Sequence, residues 1–401
     1  MKIKTLFILI SVMLGFGGIL RVRHHYILSA FPIVYSLFLM IYNVWMRRCI
    51  RSRFDSSMTL IFVGMFASVF SSVYYEHTSV PQVLFAYIPY YMLFIYYLLI
   101  QKDVKVIVVE KTLVYLSIFV CVFYILQFLL YQQGESIIHV SDDFNWDKGT
   151  TIRFRLNGSI LTSFAIFYGL NRFWTEKKKM YILLVALGIC VQLLMAFRTL
   201  VVVTFLTSVI LCALVNGFKS TVFKYLLIAY LGAMSLYNIP IVQEKVDFML
   251  YKQTSGNDDF SNSDYVRWAN LEYHRHSFFQ SDIERFFGAG WELGTTQFAK
   301  KMDLLTECHF HYSDWGLYGL SWVLGIITIV GIYLFVIKVL LYRYNKEHLY
   351  LWAIYFYLLL SSITTSEFYR VGNFAIHALF LYLINNYAIE RKHNKTYKYK
   401  M

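Results

Sequence analysis

Charge is what this sequence has least of. Only 15% of its 401 residues are Asp, Glu, Lys or Arg, where a soluble domain carries about 25%. With 58% hydrophobic residues and a mean hydropathy of +0.52, that shortage excludes an ordinary water-soluble enzyme. Proline is scarce too, with 4 residues, so little punctuates the apolar runs. The 5 cysteines, Cys49, Cys121, Cys190, Cys212 and Cys308, are scattered. That spacing excludes a disulfide framework. No Cys-x-x-Cys pair, no G-x-S-x-G elbow and no phosphate-cradling glycine loop occurs, so none of the chemistries those motifs signal is indicated. The halves show no repeat, and no segment is of low complexity.

What the chain has instead is long, nearly uncharged apolar stretches. A helix needs roughly 17–25 such residues to cross a bilayer, and in lipid each span must satisfy its own backbone. The sequence therefore predicts an all-α, polytopic membrane protein of about twelve spans. They are expected at 5–20, 25–46, 58–74, 82–100, 112–131, 157–173, 181–197, 199–217, 222–238, 314–340, 348–364 and 373–389. The first stretch ends in "GGILRVRHH" without a small-residue cleavage site, so a retained helix is expected rather than a signal peptide. The run 181–217 is apolar except for Arg198. As one helix it would be about 55 Å long, nearly twice the hydrocarbon core, so a turn is expected at Phe197–Thr199.

Short loops orient the spans. "RRCIRSR", "EKKK" and "RKHNKTYKYK" fall on one side, which places both termini in the cytoplasm. The net charge of +13 then reflects topology and attraction to anionic lipid, and gives no reason to invoke nucleic acid. Three regions follow. Residues 1–238 hold nine spans with an outer loop at 132–156. Residues 239–313 form a large extracytoplasmic loop with short helices, and 314–401 hold three spans and a basic tail. A loop as long as 239–313 is usually functional.

The outer loops collect arginines: Arg153, Arg155, Arg198, Arg267 and Arg275. They also collect aromatic residues, Trp268 and Trp291 among them. Guanidinium forks suit phosphate, and flat rings suit sugar faces as well as the interfacial belt. Together they fit a ligand with both a phosphate and a glycan. Arg198 reads either as a snorkelling boundary marker or as an anion clamp.

The stretch "TECHFHYSDWGLYG" sets His309, His311 and Asp314 at the lip of the span 314–340. If the helix starts near Ser313, Ser313 caps it and its free amides favour an anion. A neutral His311 there is a candidate base for a sugar hydroxyl; the plain alternative is a pair of interfacial polar residues. A metal set of Cys308, His309, His311 and Asp314 lacks the second cluster of a closed site. "FFGAGW", with Gly288 and Gly290, is a turn where backbone can approach closely. "SDD" and "NDD" at 141–143 and 257–259 are weak acidic pairs.

Four segments, with the architecture, resemble the O-antigen polymerase (Wzy) and O-antigen ligase superfamily of membrane glycosyltransferases. They are "RFRLNG" (153–158), "AFRTLVVVTFL" (196–206), "DYVRWANLEYHRHSFFQSDIERFFGAGW" (264–291) and "HYSDWGLYGLSWVLG" (311–325). Phe197 stands where the family usually has serine, and Tyr312 follows the histidine where ligases have Asn, Ser or Gln. The resemblance implies a GT-C-like fold and a metal-independent repeat-unit polymerase without a cofactor, using polyprenyl-pyrophosphate-linked oligosaccharide at the outer face of a bacterial inner membrane. It implies His311, Arg198, Arg267, Asp314 and His309 as catalytic residues. Arg153, Arg155, Arg275, Trp268, Gly288, Gly290 and Trp291 would bind substrate. A chain-length regulator and a flippase are implied partners. A ligase, or a flippase without chemistry, is the alternative.

Overall fold

The computed structural model describes residues 33–42, 52–132, 158–195, 197–217, 243, 247, 266–291, 296–370 and 372–398. Among them every regular element is helical and no strand occurs. In chain order the helices are α1 (Ile33–Tyr42), α2 (Asp55–Tyr75), α3 (Val80–Ala86), α4 (Ile88–Lys102), α5 (Val106–Gln132), α6 (Ile160–Glu176), α7 (Met180–Met195), α8 (Arg198–Asn216), α9 (Val266–His276), α10 (Asp282–Phe287), α11 (Gln297–Glu307), α12 (Gly316–Leu340), α13 (Leu349–Ser361) and α14 (Asn373–Lys398). A 3-10 turn, Tyr312–Trp315, leads into α12.

Among the described residues four stretches are long and apolar enough to cross a membrane: Asp55–Tyr75, Val106–Leu130, Thr199–Asn216 and Tyr312–Leu340. A fifth counts if α3 and α4, bent by 53°, form one broken span. Several apolar helices of this kind make the chain a multi-pass membrane protein. The expected spans 5–20 and 222–238, and most of 25–46, lie outside the described residues. The apolar run 181–217 is indeed two helices, parted at Phe197, whose backbone is extended.

Sidedness is written along the spans. On α2, Val63, Phe66, Phe70 and Tyr74 are exposed, while Met58, Ile61, Met65 and Val69 are buried. On α12, Ile326, Val330, Tyr333 and Ile337 are exposed. Steps of three and four residues keep each set on one helix face, and an exposed stripe of large apolar side chains is what lipid contact requires.

The fold divides into two compact units. The first comprises Met1–Thr112, Ala269–Leu341 and Ser362–Met401. Its central pair is α2 against α12, in close contact at small residues. A Cβ on Gly64 would lie 2.4 Å from Thr328 Oγ1, and one on Gly331 2.8 Å from Ile61 Cγ1. Without a hydrophobic drive between helices in lipid, such close backbone packing does much of the work. The second unit comprises Leu113–Trp268 and Tyr342–Ser361. There α6 packs on α7 through Gly169 and Gly188, and Gln192 Nε2 donates to Ser163 Oγ at 3.0 Å. Asn171 Nδ2 ties α6 to the main-chain oxygen of Lys346 at 2.8 Å.

Candidate functional site

The site is built in the first unit from the polar segment between α9 and α12. The buried side of α9 carries Asn270 and His274, four residues apart and therefore on one face. Asn270 Nδ2 donates to the main-chain oxygen of His311 at 2.9 Å. His274 Nδ1 lies 2.9 Å from the main-chain oxygen of Asn270. A carbonyl only accepts, so Nδ1 carries the hydrogen and Nε2 the lone pair. The ring stacks on Trp322 of α12, with centroids 4.0 Å apart and planes 13° off parallel. Burial pushes His274 down to about 4, against the hydrogen bond to Asn270; the nearby charge of Lys301 pushes the same way as burial. The imidazole is thus held neutral, in one tautomer and one orientation. Its Nε2 and Asn270 Oδ1 have no hydrogen-bond partner among the described residues.

Beyond α9 the chain turns at Phe278, which is buried with Ala289, Phe298, Met302 and Leu305 in a small apolar core. α10 is capped by Ser281, whose Oγ accepts from Glu284 N at 3.1 Å. Glu284 is fully buried, and its Oε2 accepts from Gln280 N at 2.6 Å. Beside it stands Glu76, just past α2, in an ion pair of 2.9 Å with Lys301 of α11. Lys301 Nζ also donates to Phe278 O at 2.9 Å and sits 4.3 Å from the centre of the Phe278 ring.

After α10 the chain becomes a strap, Gly288-Ala289-Gly290, laid across α12 where that helix breaks. Gly325 has φ 78 and ψ 161, which interrupts α12. Ala289 N donates to Trp322 O at 2.8 Å and Gly290 N to Val323 O at 3.0 Å. The strap thus supplies donors to carbonyls at the interruption, which apolar surroundings make costly to leave unpaired. In "FFGAGW" the close approach at Gly288 is to the backbone of α12, and at Gly290 to Ser72 of α2.

Trp291 leaves the strap half-buried, with Tyr90 at 5.3 Å and Tyr312 at 5.6 Å between ring centroids. Tyr312 in turn stacks near Tyr369 at 6.5 Å. Next to Tyr369, Arg370 pairs with the fully buried carboxylate of Glu367 at 3.3 Å.

His311 is the cap residue of the 3-10 turn and is half-buried. Asp314 lies in that turn, and its N–H donates to His311 O at 3.2 Å. Ser313 does not cap a helix: it sits inside the turn, and the turn has no side-chain cap. The physical reason is Gly316, at φ 51, which separates the turn from α12 and passes so close to Ser362 O that a Cβ would lie 1.8 Å from it. His309 is exposed with φ 60, and Cys308 ends α11, also exposed. Among the described residues no three of His, Cys, Asp and Glu gather as a metal-holding group.

The remaining residues are spread more widely. Arg275 is exposed in the last turn of α9, where a cation suits the helix dipole. Arg267 is half-buried and Trp268 is 40% exposed; both fall in the second unit, as does Arg198, the first residue of α8. The side chain of Arg198, and all of Arg153 and Arg155, lie outside the described residues.

Sequence reasoning passed over Asn270, His274, Glu76, Glu284 and Lys301. A signal for the first two was present in their four-residue spacing. Glu284 was masked by its own motif, since Ser-x-x-Glu reads simply as a capping box. No family model matches this chain, and no curated protein matches it.

Proposed function

We propose that this protein is an oligosaccharide repeat-unit polymerase. It would transfer a glycan from polyprenyl pyrophosphate to another lipid-linked repeat unit at the outer face of a bacterial inner membrane. The reading takes up the twelve-span, GT-C-like arrangement with both termini cytoplasmic. One observation carries most weight. Two of the segments that carry the family resemblance, 264–291 and 311–325, are locked together by the strap on α12 and by Asn270 on the carbonyl of His311. The segment bearing the proposed base is therefore held through the His311 carbonyl, by the Asn270 side chain, next to the crossing of strap and α12, and a fixed base is what proton transfer demands.

In this reading His311 takes the proton of the acceptor hydroxyl, with His309 as its rival, and Asp314 orients it. Arg198 and Arg267 neutralise the leaving diphosphate, and preorganised charge of this kind is often the largest catalytic term. Arg153, Arg155 and Arg275 bind phosphate, Trp268 and Trp291 offer faces to sugar rings, and Gly288 and Gly290 seat the strap. The diphosphate is already a good leaving group, so the reaction calls for no nucleotide sugar and no metal.

The broken helix α12 also favours a second reading, since interrupted spans mark binding sites in transporters. One assay separates the two. Purified protein in vesicles is given synthetic lipid-linked repeat units, and products are resolved by length. A ladder of lipid-linked polymer supports the polymerase. Movement of the lipid between leaflets without chain growth replaces it with the flippase.

A further inference from the structure

We propose that Glu76 and Glu284 form a proton-binding site, holding one proton between two buried carboxyl groups beside the cation of Lys301, and so fastening α10 and α11 to the end of α2.

The geometry supplies three reasons. First, both carboxyl groups are withdrawn from solvent, Glu284 at 0% and Glu76 at 8% exposure, and Gln280 bridges their neighbourhoods, its N–H donating to Glu284 Oε2 and its side-chain amide to the main-chain oxygen of Tyr75, next to Glu76, at 2.8 Å. Two carboxylates so placed only accept, whereas a protonated one donates to its neighbour. Second, Glu284 Oε1 has no hydrogen-bond partner among the described residues, while Oε2 takes the Gln280 N–H and Glu76 Oε1 takes Lys301. One proton between the acids removes that orphan. Third, among the described residues the charges balance only when that proton is present. One carboxylate and one ammonium are neutral; two carboxylates against one ammonium leave a buried net charge, which is expensive.

The other groups around the pair leave this count unchanged. From α9 faces His274, a neutral imidazole that feels the charge of Lys301. Next to Glu76, His77 is exposed. On α10 itself Arg285 is exposed and directed to Arg275 O and to Asp282, 3.5 Å away. The stretch of α12 crossed by the strap, Trp322–Gly325, contributes no titratable side chain. Burial pushes Glu284 up to about 7, and the charge of Glu76 adds to it, against the opposing pull of Gln280 N–H and Lys301. The ligand of this site is therefore a proton, held to a higher pH than an ordinary carboxyl group holds its own.

The test is an infrared titration of the purified full-length protein in lipid, in light and heavy water, recorded as the difference between wild type and Glu284→Gln. The expected result is an isotope-sensitive band of a protonated carboxyl group that persists to about pH 7 and is missing from the variant. Glu76→Gln removes the like charge and offers an amide donor, so the midpoint of the same band should fall by a factor of ten or more in proton affinity, about one pH unit. This second variant carries the test alone if Glu284→Gln does not fold. A wild-type midpoint in the ordinary carboxyl range would overturn the proposal. So would a midpoint that Glu76→Gln leaves in place.

Discussion

Gly288 and Gly325 meet backbone to backbone where the strap crosses α12. A Cβ on Gly288 would stand 2.5 Å from Gly325 N and 2.4 Å from Val323 O, and one on Gly325 would stand 2.3 Å from Phe287 O. Both residues are left-handed, at φ 89 and φ 78. The contact is therefore closed to any residue with a side chain, on grounds of both space and conformation.

Gly288→Ala and Gly325→Ala are each expected to lose the strap. The positive φ alone costs roughly 1–2 kcal/mol for an L-residue, and the clash adds to it. Gly217 offers the control: it too has positive φ, 74, but nothing lies within 4 Å of its Cβ position. Gly217→Ala should thus show only the conformational cost. Thermal unfolding in detergent is the measurement, and equal midpoints for all three variants would show that the crossing is not tight.

The two buried titratable groups of the segment pull stability in opposite directions with pH. Glu284 is raised from 4.5 to about 7. Its contribution is fully present below pH 4.5 and is lost as pH rises through 7. His274 is lowered from 6.5 to about 4, so its contribution is present above pH 6.5 and is lost as pH falls through 4. The windows overlap and the slopes oppose, so wild type should vary little between pH 4.5 and 6.5 on account of these groups. Glu284→Gln should lose stability on acidification across that window, and His274→Gln on alkalinisation. Unfolding midpoints measured at several pH values decide it; parallel curves for both variants would refute the opposition.

The apolar helices, four or five of them of membrane-spanning length among the described residues, were legible because they depend only on local composition. The division of 181–217 followed from helix length against bilayer thickness, and α7 and α8 part at Phe197 accordingly. The site was legible only in outline. His311 at the lip of α12 could be read from the change in polarity along the chain. The capping of α12 by Ser313 was misjudged, because the close approach of Gly316 to Ser362 O is a tertiary contact between residues far apart in sequence. The same holds for Glu76 and Lys301, 225 residues apart: neither stands out locally, and burial alone gives the pair its significance.

Lys301 is expected to be the least tolerant charged residue of the segment. Lys301→Met leaves the Glu76 carboxylate, 6% exposed in its side chain, without a counter-ion. Breaking a buried pair from one side costs about 3–5 kcal/mol. The double variant Glu76→Gln/Lys301→Met removes both charges and should regain most of that loss. Detergent unfolding of the two variants and of Glu76→Gln alone completes the cycle. A double variant no better than Lys301→Met would assign the cost to lost packing on Phe278 rather than to charge.

The last expectation concerns how His311 is held. Its carbonyl is fixed by Asn270 Nδ2 at 2.9 Å and by the Asp314 N–H, and its ring stands half-buried. If His311 takes the acceptor proton, His311→Ala should lower turnover by roughly 10²–10⁴-fold with substrate binding kept. Asn270→Ala leaves the imidazole in place but releases its backbone. A displacement of a reacting group by an ångström costs up to about 10²-fold, so kcat should fall by less than in His311→Ala, with KM unchanged. Asn270→Asp should not rescue it, because a carboxylate cannot donate to the His311 carbonyl. His309→Ala, at an exposed position, should polymerise like wild type, and Asp314→Asn should be intermediate. The measurement is the rate of growth of the lipid-linked ladder at matched amounts of folded protein. If His309→Ala is inactive and His311→Ala extends chains normally, the roles are reversed. If both are active while Asn270→Ala is slow, the hydrogen bond serves the placement of Tyr312 and Trp291 around the sugar, and the proton leaves by another group.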